Sequence, residues 1–472
     1  MPLELDIFAT SRGTVTAPAG CGKTQLITDT LKRHTAKKPV LVLTHTNAGA
    51  GALRTRLQRA DVTNSTYRVM TIDGFAMRLT GTFPMRSGLP PNILNLDNPG
   101  RDYPTIRGAA WRLLQAGHLS DILQATYSRL IVDEYQDCSL EQHAIVDWAA
   151  MVLPTCVLGD PMQAIFNFRG NQLVDWDTNV LTQFPAIGEL QTPWRWRNAG
   201  TETLGHWLLD CRQKLAGGNA IDLRTSPDEV TWVELAAGTE EKQRIEAART
   251  RAPNRDGTVL VIGDSVNAQG RHFMASKTPG AATVEPVDLK DLTNFSQGFD
   301  VVANDALTRL VNFAGETMTN VGAPEFLRRI NSIRQGTARN PPNSAEVAAI
   351  TFSANPSLAT ALNVLRQISE QQSVRVYRPA ILRSCMAAML AASDGGRTFH
   401  AAAIHEREKH RHAGRPLSRR SVGSTLLLKG LEADVAVVLH PERMNAKHLY
   451  VALTRGARRV VVCSPTPILT PR

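Results

Sequence analysis

The chain has 472 residues, 43% hydrophobic and 20% charged, an ordinary balance for a soluble globular protein. At roughly one to two hundred residues per domain it has room for two to four domains. Lys and Arg number 53 against 43 Asp and Glu, a net charge of +10. That excess favours a polyanionic partner through counterion release, or a basic surface kept for solubility. The six cysteines, Cys21, Cys138, Cys156, Cys211, Cys385 and Cys463, contain no CxxC pair. Neither a zinc module nor a disulfide framework is thereby suggested, and reduced thiols in a cytoplasm fit better. The N-terminus, MPLELDIFATSRG, lacks a basic region followed by an apolar one, so no signal peptide is expected. No long uninterrupted apolar run exists, so no membrane span is expected either.

In chain order, short apolar runs are each followed by turn residues and then a helical pattern. They lie at 13–17, 40–44, 129–132 and 155–158, and again at 258–262 and 434–439. Strands alternating with helices predict an α/β fold with parallel sheets covered on both faces, one before residue 185 and one after. Residues 76–128 are rich in Pro, Gly and Arg and then become helical. Residues 301–418 are mostly helical, with a break at 340–343. Both read as insertions into the α/β halves. The run HEREKHRHAGRPLSRR at 405–420 either contacts phosphates or forms a solvated loop.

The first apolar run leads into Ala17-Pro18-Ala19-Gly20-Cys21-Gly22-Lys23-Thr24. A strand, a tight loop and a helix start form a phosphate cradle. Gly20 and Gly22 permit backbone angles closed to other residues and let amides approach phosphate oxygens. The helix N-terminus adds donors and partial positive charge. Lys23 is placed to reach the β- and γ-phosphates and Thr24 to ligate Mg²⁺. The strict P-loop pattern has Gly at position 17, where this chain has Ala.

The third run ends in Asp133-Glu134-Tyr135-Gln136-Asp137. Ligands of a doubly wound sheet bind at the carboxyl ends of its strands. Asp133 is placed to hold the Mg²⁺ shell, and Glu134 to orient or deprotonate an attacking water. A solvated acidic helix cap is the plainer reading, and the P-loop upstream counts against it.

The fourth run opens into Gly159-Asp160-Pro161-Met162-Gln163-Ala164-Ile165-Phe166-Asn167-Phe168-Arg169-Gly170. With DEYQD, this string resembles the UvrD/Rep type of superfamily 1 helicases, whose third motif reads GDxxQxIYxFRG. The likeness runs from residue 17 to residue 456. Ala17–Thr24 is similar to AxxGxGKT, which accounts for the missing first glycine. Thr44-His45-Thr46-Asn47 resembles TFTN, and Thr71-Ile72-Asp73-Gly74-Phe75 resembles TxHSF. Leu190–Arg195 resembles LxxNYR, the 424–432 stretch STLLLKGLE resembles TxHxxKGLE, and 450–455 is YVALTR.

The resemblance implies two RecA-like P-loop NTPase domains with mainly helical insertions. Domain 1A would comprise 1–75 and 129–184, insertion 1B 76–128, domain 2A 185–300 and 419–472, and insertion 2B 301–418. It implies ATP and Mg²⁺ as cofactors, with 3′-to-5′ movement on single-stranded or forked DNA. Gln163 would sense the γ-phosphate, and Arg195 and Arg455, coming from the second RecA-like half, would clamp it across the cleft between the two domains as planar, permanently charged donors. Trp194 would stack on the base of ATP, and Gly430 and Glu432 would approach the phosphates and ribose. Ala17, Gly20, Cys21, Gly22, Lys23, Thr24 and Gln25 would line the nucleotide. Thr44, His45, Thr46, Asn47, Thr71 and Phe75 would touch DNA. Phe166 and Phe168 would stack bases, with Arg169 on phosphate, a mode that tolerates any base. Trp196 is read equally well as packing.

Several positions depart from the family. No glutamine-bearing adenine motif is obvious in the first sixteen residues. Leu426 replaces the histidine of TxHxxKGLE, Asp73 that of TxHSF, and Ala48 the lysine after TFTN. An acidic side chain near DNA phosphate is unfavourable unless paired. The chain stops soon after YVALTR, so no attached nuclease domain is expected, and the DNA-contact changes with the short 1B segment motivate a second reading. In it the chain is a regulatory ATPase subunit that signals to a partner nuclease, for instance in phage defence, and unwinds little. A small-molecule P-loop kinase would leave DEYQD, the arginine motifs and the second α/β half unexplained.

Overall fold

A computed structural model describes residues 5–166, 172–412 and 418–472, His412 without its side chain. The chain forms two compact units. One comprises Met1–Thr231, Pro441–Arg459 and Pro467–Arg472, the other Trp232–His440 and Val460–Thr466.

The first unit is built on β1 (Arg12–Thr16), β2 (Val40–Thr44), β3 (Tyr67–Thr71), β4 (Arg129–Val132), β5 (Thr155–Gly159) and β6 (Ala186–Glu189). Their order is β3-β2-β4-β5-β1-β6, and every pairing is parallel. β2 (VLVLT) and β5 (TCVLG) are buried at every position. Strands covered on both faces need such unbroken apolar runs. Because β1, β5 and β4 are adjacent and parallel, the loops leaving their carboxyl ends gather at one edge. That edge is where an α/β sheet binds its ligands. A short antiparallel pair, β7 (Ile221–Asp222) and β14 (Ile468–Leu469), belongs to the same unit.

The 76–128 stretch is helical, chiefly Pro99–Gln115 and Ser120–Thr126. Ile106, Ala110, Leu113 and Leu114 pack into the core that also holds Leu41, Ile72 and Val132. Asp73 sits under this helix. Arg107 grips it with Nε and Nη2 at 2.7 Å each, and Gln142 Nε2 donates at 3.0 Å.

In the second unit β8 (Val230–Glu234), β9 (Val259–Gly263), β10 (Ala281–Thr283), β11 (Arg420–Ser424), β12 (Ala433–Val438) and β13 (Gly456–Ser464) are ordered β10-β11-β9-β12-β13-β8. Pairing is parallel from β10 through β12. Among the described residues, seven helices lie between β10 and β11, from Lys290–Gly298 to Phe399–His412, around their own apolar cluster. Arg378, 3% exposed, ties them to the sheet by forking onto Glu285 at 2.8 and 3.0 Å and bonding Asp291. The helical break predicted at 340–343 ends in a capping box, Asn343 with Glu346, which starts the Ser344–Ala354 helix.

The fold is thus α/β, with two six-stranded sheets and mainly helical insertions. The six strands predicted from apolar runs are found within a residue at each end. No helix among the described residues is long and apolar enough to cross a membrane. All six cysteines are buried.

Candidate nucleotide site

β1 delivers the cradle and the Lys23–Lys32 helix follows it. Gly20 has φ +73° and Gly22 φ +87°, the left-handed region that disfavours other residues. Both are also crowded. A Cβ at Gly20 would lie 2.5 Å from the Trp196 ring, and one at Gly22 2.9 Å from Trp194. The Arg195 amide donates to Gly20 O at 3.0 Å, and the Ala17 amide to Gly159 O at 2.8 Å. The Ala19 amide donates to the Tyr450 hydroxyl at 3.0 Å. Ala17 and Cys21 are both 1% exposed, so they shape the loop from the core side. Gln25 is exposed, donating to Asp29 at 2.8 Å and accepting from Arg56 at 3.1 Å.

The acidic strand end meets this cradle. Lys23 Nζ lies 2.9 Å from Asp133 Oδ1 and is also paired with Glu134 Oε1. Burial by itself would lower the Lys23 pKa, but the two carboxylates outweigh it and hold the ammonium charged, well above its ordinary value. Burial raises the pKa of Asp133 against the pull of Lys23. Glu134 stands at φ +56°, ψ +40°. A non-glycine residue held in this region is strained, and such strain concentrates at functional sites. Its carboxylate accepts from Gln136 Nε2 at 2.6 Å. Thr24 follows Lys23 in the first helical turn, half-buried.

Gln136 carries the network on to β5. Its Oε1 accepts the Asp160 amide at 3.1 Å. Asp160, 1% exposed, accepts from the Met162 amide and from Gln163 Nε2, each at 3.1 Å, and from Arg212 Nε at 3.0 Å. Arg212 also reaches Glu189 at 2.9 Å.

Arg195 and Arg455, expected from the second half, instead lie in the same compact unit as the cradle. Arg195 Nη1 donates to Thr454 O at 2.6 Å, with its guanidinium 5.1 Å from the Trp196 ring centroid. Arg455 is 2% exposed, donating from Nε to Val451 O at 2.8 Å and from Nη2 to Thr454 Oγ1 at 3.1 Å. Trp194 is half-buried against Gly22, with Arg197 5.0 Å from its ring centroid. Trp196 is 1% exposed and donates from its indole to Gly456 O at 2.9 Å, so packing is its role. Gly430, at φ +79°, and Glu432 belong to the second unit, in the turn between the Thr425–Leu428 helix and β12.

The positions expected at DNA are more varied. Thr44 is buried at the end of β2. His45 is half-buried with its ring 5.6 Å from that of Phe166. Thr46 and Thr71 are N-caps, accepting from the Gly49 and Gly74 amides at 3.0 and 2.9 Å. Asn47 is exposed. Phe75 is corrected from a DNA contact to a core residue. It is 1% exposed beside Ile72 and Leu79, and a ring so enclosed has no free face for a base. Phe168 and Arg169 lie outside the described residues. Asp73, unfavourable near phosphate unless paired, is paired with Arg107.

Sequence reasoning missed Arg212, Gln136, Arg107 and the role of Tyr450. Tyr450 stood inside a quoted motif, whereas Arg212 and Arg107 carry no motif and become visible only through their buried partners.

These residues fit a nucleoside triphosphate with Mg²⁺. The loop is held open by two positive-φ glycines, a charged lysine faces it, and two carboxylates stand beside that lysine. Among the described residues no group of three or more His, Cys, Asp or Glu side chains could hold a metal unaided.

The family described as UvrD/REP helicase N-terminal domain matches residues 7–102 and 98–175. No curated protein matches the chain. Among solved structures, it is similar to an arterivirus nonstructural protein 10 helicase in complex with DNA. That likeness has 9% identity and a TM-score of 0.36, covering 98% of this chain and 63% of the other. It is also similar to the Pif1 helicase of Candida albicans, with 14% identity and a TM-score of 0.32, covering 57% of this chain and 51% of the other. The chain therefore aligns to less than two thirds of either structure's length.

Proposed function

We propose, from the premise that residues 7–175 carry the UvrD/REP helicase N-terminal domain, that the chain is an ATP-hydrolysing helicase or translocase acting on single-stranded DNA. The observation that carries this reading is Lys23 clasped by Asp133 and Glu134 beside two positive-φ glycines, with Arg195 and Tyr450 bonded to the same loop. The proposal keeps the family's four-part layout, 1A at 1–75 and 129–184, 1B at 76–128, 2A at 185–300 and 419–472, and 2B at 301–418, except that the strand at 186–189, which pairs with β1, goes with 1A.

Triphosphate oxygens would compete with the carboxylates for Lys23. Thr24 and Asp133 would hold Mg²⁺, which when bound neutralises charge on the phosphates. Glu134, released from Lys23, would orient the attacking water, with Gln136 fixing its other oxygen. Gln163 would meet the γ-phosphate, and Arg195 and Arg455 would stabilise charge developing there. Arg455 must first leave the carbonyl of Val451, so its engagement requires its side chain to reorient. Ala17, Gly20, Cys21, Gly22, Gln25, Trp194, Gly430 and Glu432 are proposed to line the nucleotide. Thr44, His45, Thr46, Asn47, Thr71, Phe166, Phe168 and Arg169 are proposed to lie along the strand, and 3′-to-5′ direction is proposed with the family. No observation favours a nuclease-bound regulatory subunit over a translocase.

The test is steady-state ATP hydrolysis with and without single-stranded DNA, alongside unwinding of forked duplexes tailed at either end. DNA should stimulate hydrolysis, and a 3′ tail should support unwinding. Lys23→Ala and Glu134→Gln should each abolish turnover. Wild-type turnover in either variant would refute the site.

A further inference from the structure

Arg212 belongs to none of the motifs, yet it is the cation facing the most enclosed carboxylate of the site. It stands on the Glu202–Ala216 helix with its side chain 12% exposed, and that of Asp160 is 1% exposed. We propose that Arg212 is a positioning residue for ATP hydrolysis, holding Gln163 in place through Asp160; the inference rests on the ATPase reading above.

The geometry divides the work between the two oxygens of Asp160. Oδ1 accepts from Arg212 Nε at 3.0 Å and from the Met162 amide at 3.1 Å. Oδ2 accepts from the amide nitrogen of Gln163 at 3.1 Å. A carboxylate with one oxygen fixed twice has its plane fixed, so the direction of its second oxygen is fixed too. Gln163 is then presented by a rigid acceptor rather than by its own three rotatable bonds. The same Asp160 offers its amide to Gln136, whose other end holds Glu134. The ion pair therefore sets the orientation of the group proposed to meet the γ-phosphate, while the backbone of the same residue holds the one that anchors Glu134. Lysine could supply the charge but not the planar fork that spans Asp160 and Glu189.

The purely structural alternative is an ion pair that only holds the helix to β5. The two are separated by turnover of Arg212→Lys, which keeps the charge and the fold, and of Arg212→Met, alone and combined with Gln163→Ala. ATP KM and kcat are measured at saturating single-stranded DNA, with melting temperatures recorded for each variant. Arg212→Lys should lower kcat about tenfold, the effect of one charge-assisted hydrogen bond, with KM within about twofold. Arg212→Met should lower kcat further. On the residual turnover of Gln163→Ala, Arg212→Lys should produce no further fall, because both changes remove the same constraint. A folded Arg212→Lys protein with unchanged kcat overturns the proposal. So does a fall that multiplies fully with that of Gln163→Ala. A wild-type chain without Lys23-dependent ATP hydrolysis overturns the underlying reading instead, so the two failures are distinct.

Discussion

At the scale of single residues, the cradle was legible because its chemistry is carried by the backbone. Gly20, Gly22, Lys23 and the strand end at Asp133 each need one residue type at one spacing, and a sequence displays that directly. What it does not display is what presses on the loop. Gly20 is constrained twice, by φ +73° and by the Trp196 ring 2.5 Å from where a Cβ would stand. Gly200 shares the first constraint at φ +76° but has nothing within 4 Å. Gly200→Ala should therefore cost only backbone strain, about 1–2 kcal/mol. Gly20→Ala must also displace a tryptophan that is 1% exposed. Thermal unfolding should show Gly20→Ala as the more destabilised of the two, and titration with a fluorescent ATP analogue should show weakened binding in that variant alone. Equal melting temperatures and affinities would mean that the tryptophan does not brace the loop.

At the scale of elements, apolar runs located the strands because a strand covered on both faces has little choice of composition. β3 (YRVMT), β6 (AIGE), β8 (VTWVE), β11 (RSVGS) and β13 (GARRVVVCS) were not foreseen, their apolar residues being broken by polar ones or glycine, nor was β10 (AAT), for its shortness. Side-chain ties between elements were illegible for a different reason. Arg107 is 34 residues from Asp73, and Arg212 is 52 from Asp160, so no local pattern joins them. Asp73 looked like a liability in sequence; in the fold it joins three helices, through its own position, Arg107 and Gln142. Both members of the ion pair are largely buried, at 17% and 21% exposure. Removing the cation leaves a carboxylate short of partners, so Arg107→Ala should lower stability by about 1–3 kcal/mol. Adding Asp73→Asn, which keeps an acceptor for Gln142 but drops the charge, should recover most of that loss. Urea unfolding midpoints measure both, and a double variant no more stable than Arg107→Ala would show that lost packing, not the orphaned charge, sets the cost.

At the scale of the whole molecule, composition gave a sign and the motifs gave it an address. A net charge of +10 is compatible with any polyanion, and by itself it separates neither a binding groove from a solubilising coat nor DNA from RNA. Charge and stacking do, however, leave different signatures on binding. Each phosphate neutralised along a single strand contributes about 0.7 to the negative slope of log affinity against log salt concentration. A stacked ring contributes affinity, about 1–3 kcal/mol per base, and almost nothing to that slope. Phe166, half-buried with its ring beside His45, is proposed to act in the second way. Arg169, three residues on, is a group of the first kind. Affinity for an oligothymidine measured by fluorescence anisotropy across a salt series should fall steeply for the wild-type chain. Arg169→Ala should reduce the slope by about 0.7, whereas Phe166→Ala should weaken binding at every salt concentration with the slope unchanged. If the slope of the wild-type chain lay near zero, its excess of Lys and Arg would be serving solubility, and the strand would have to be held by uncharged contacts alone.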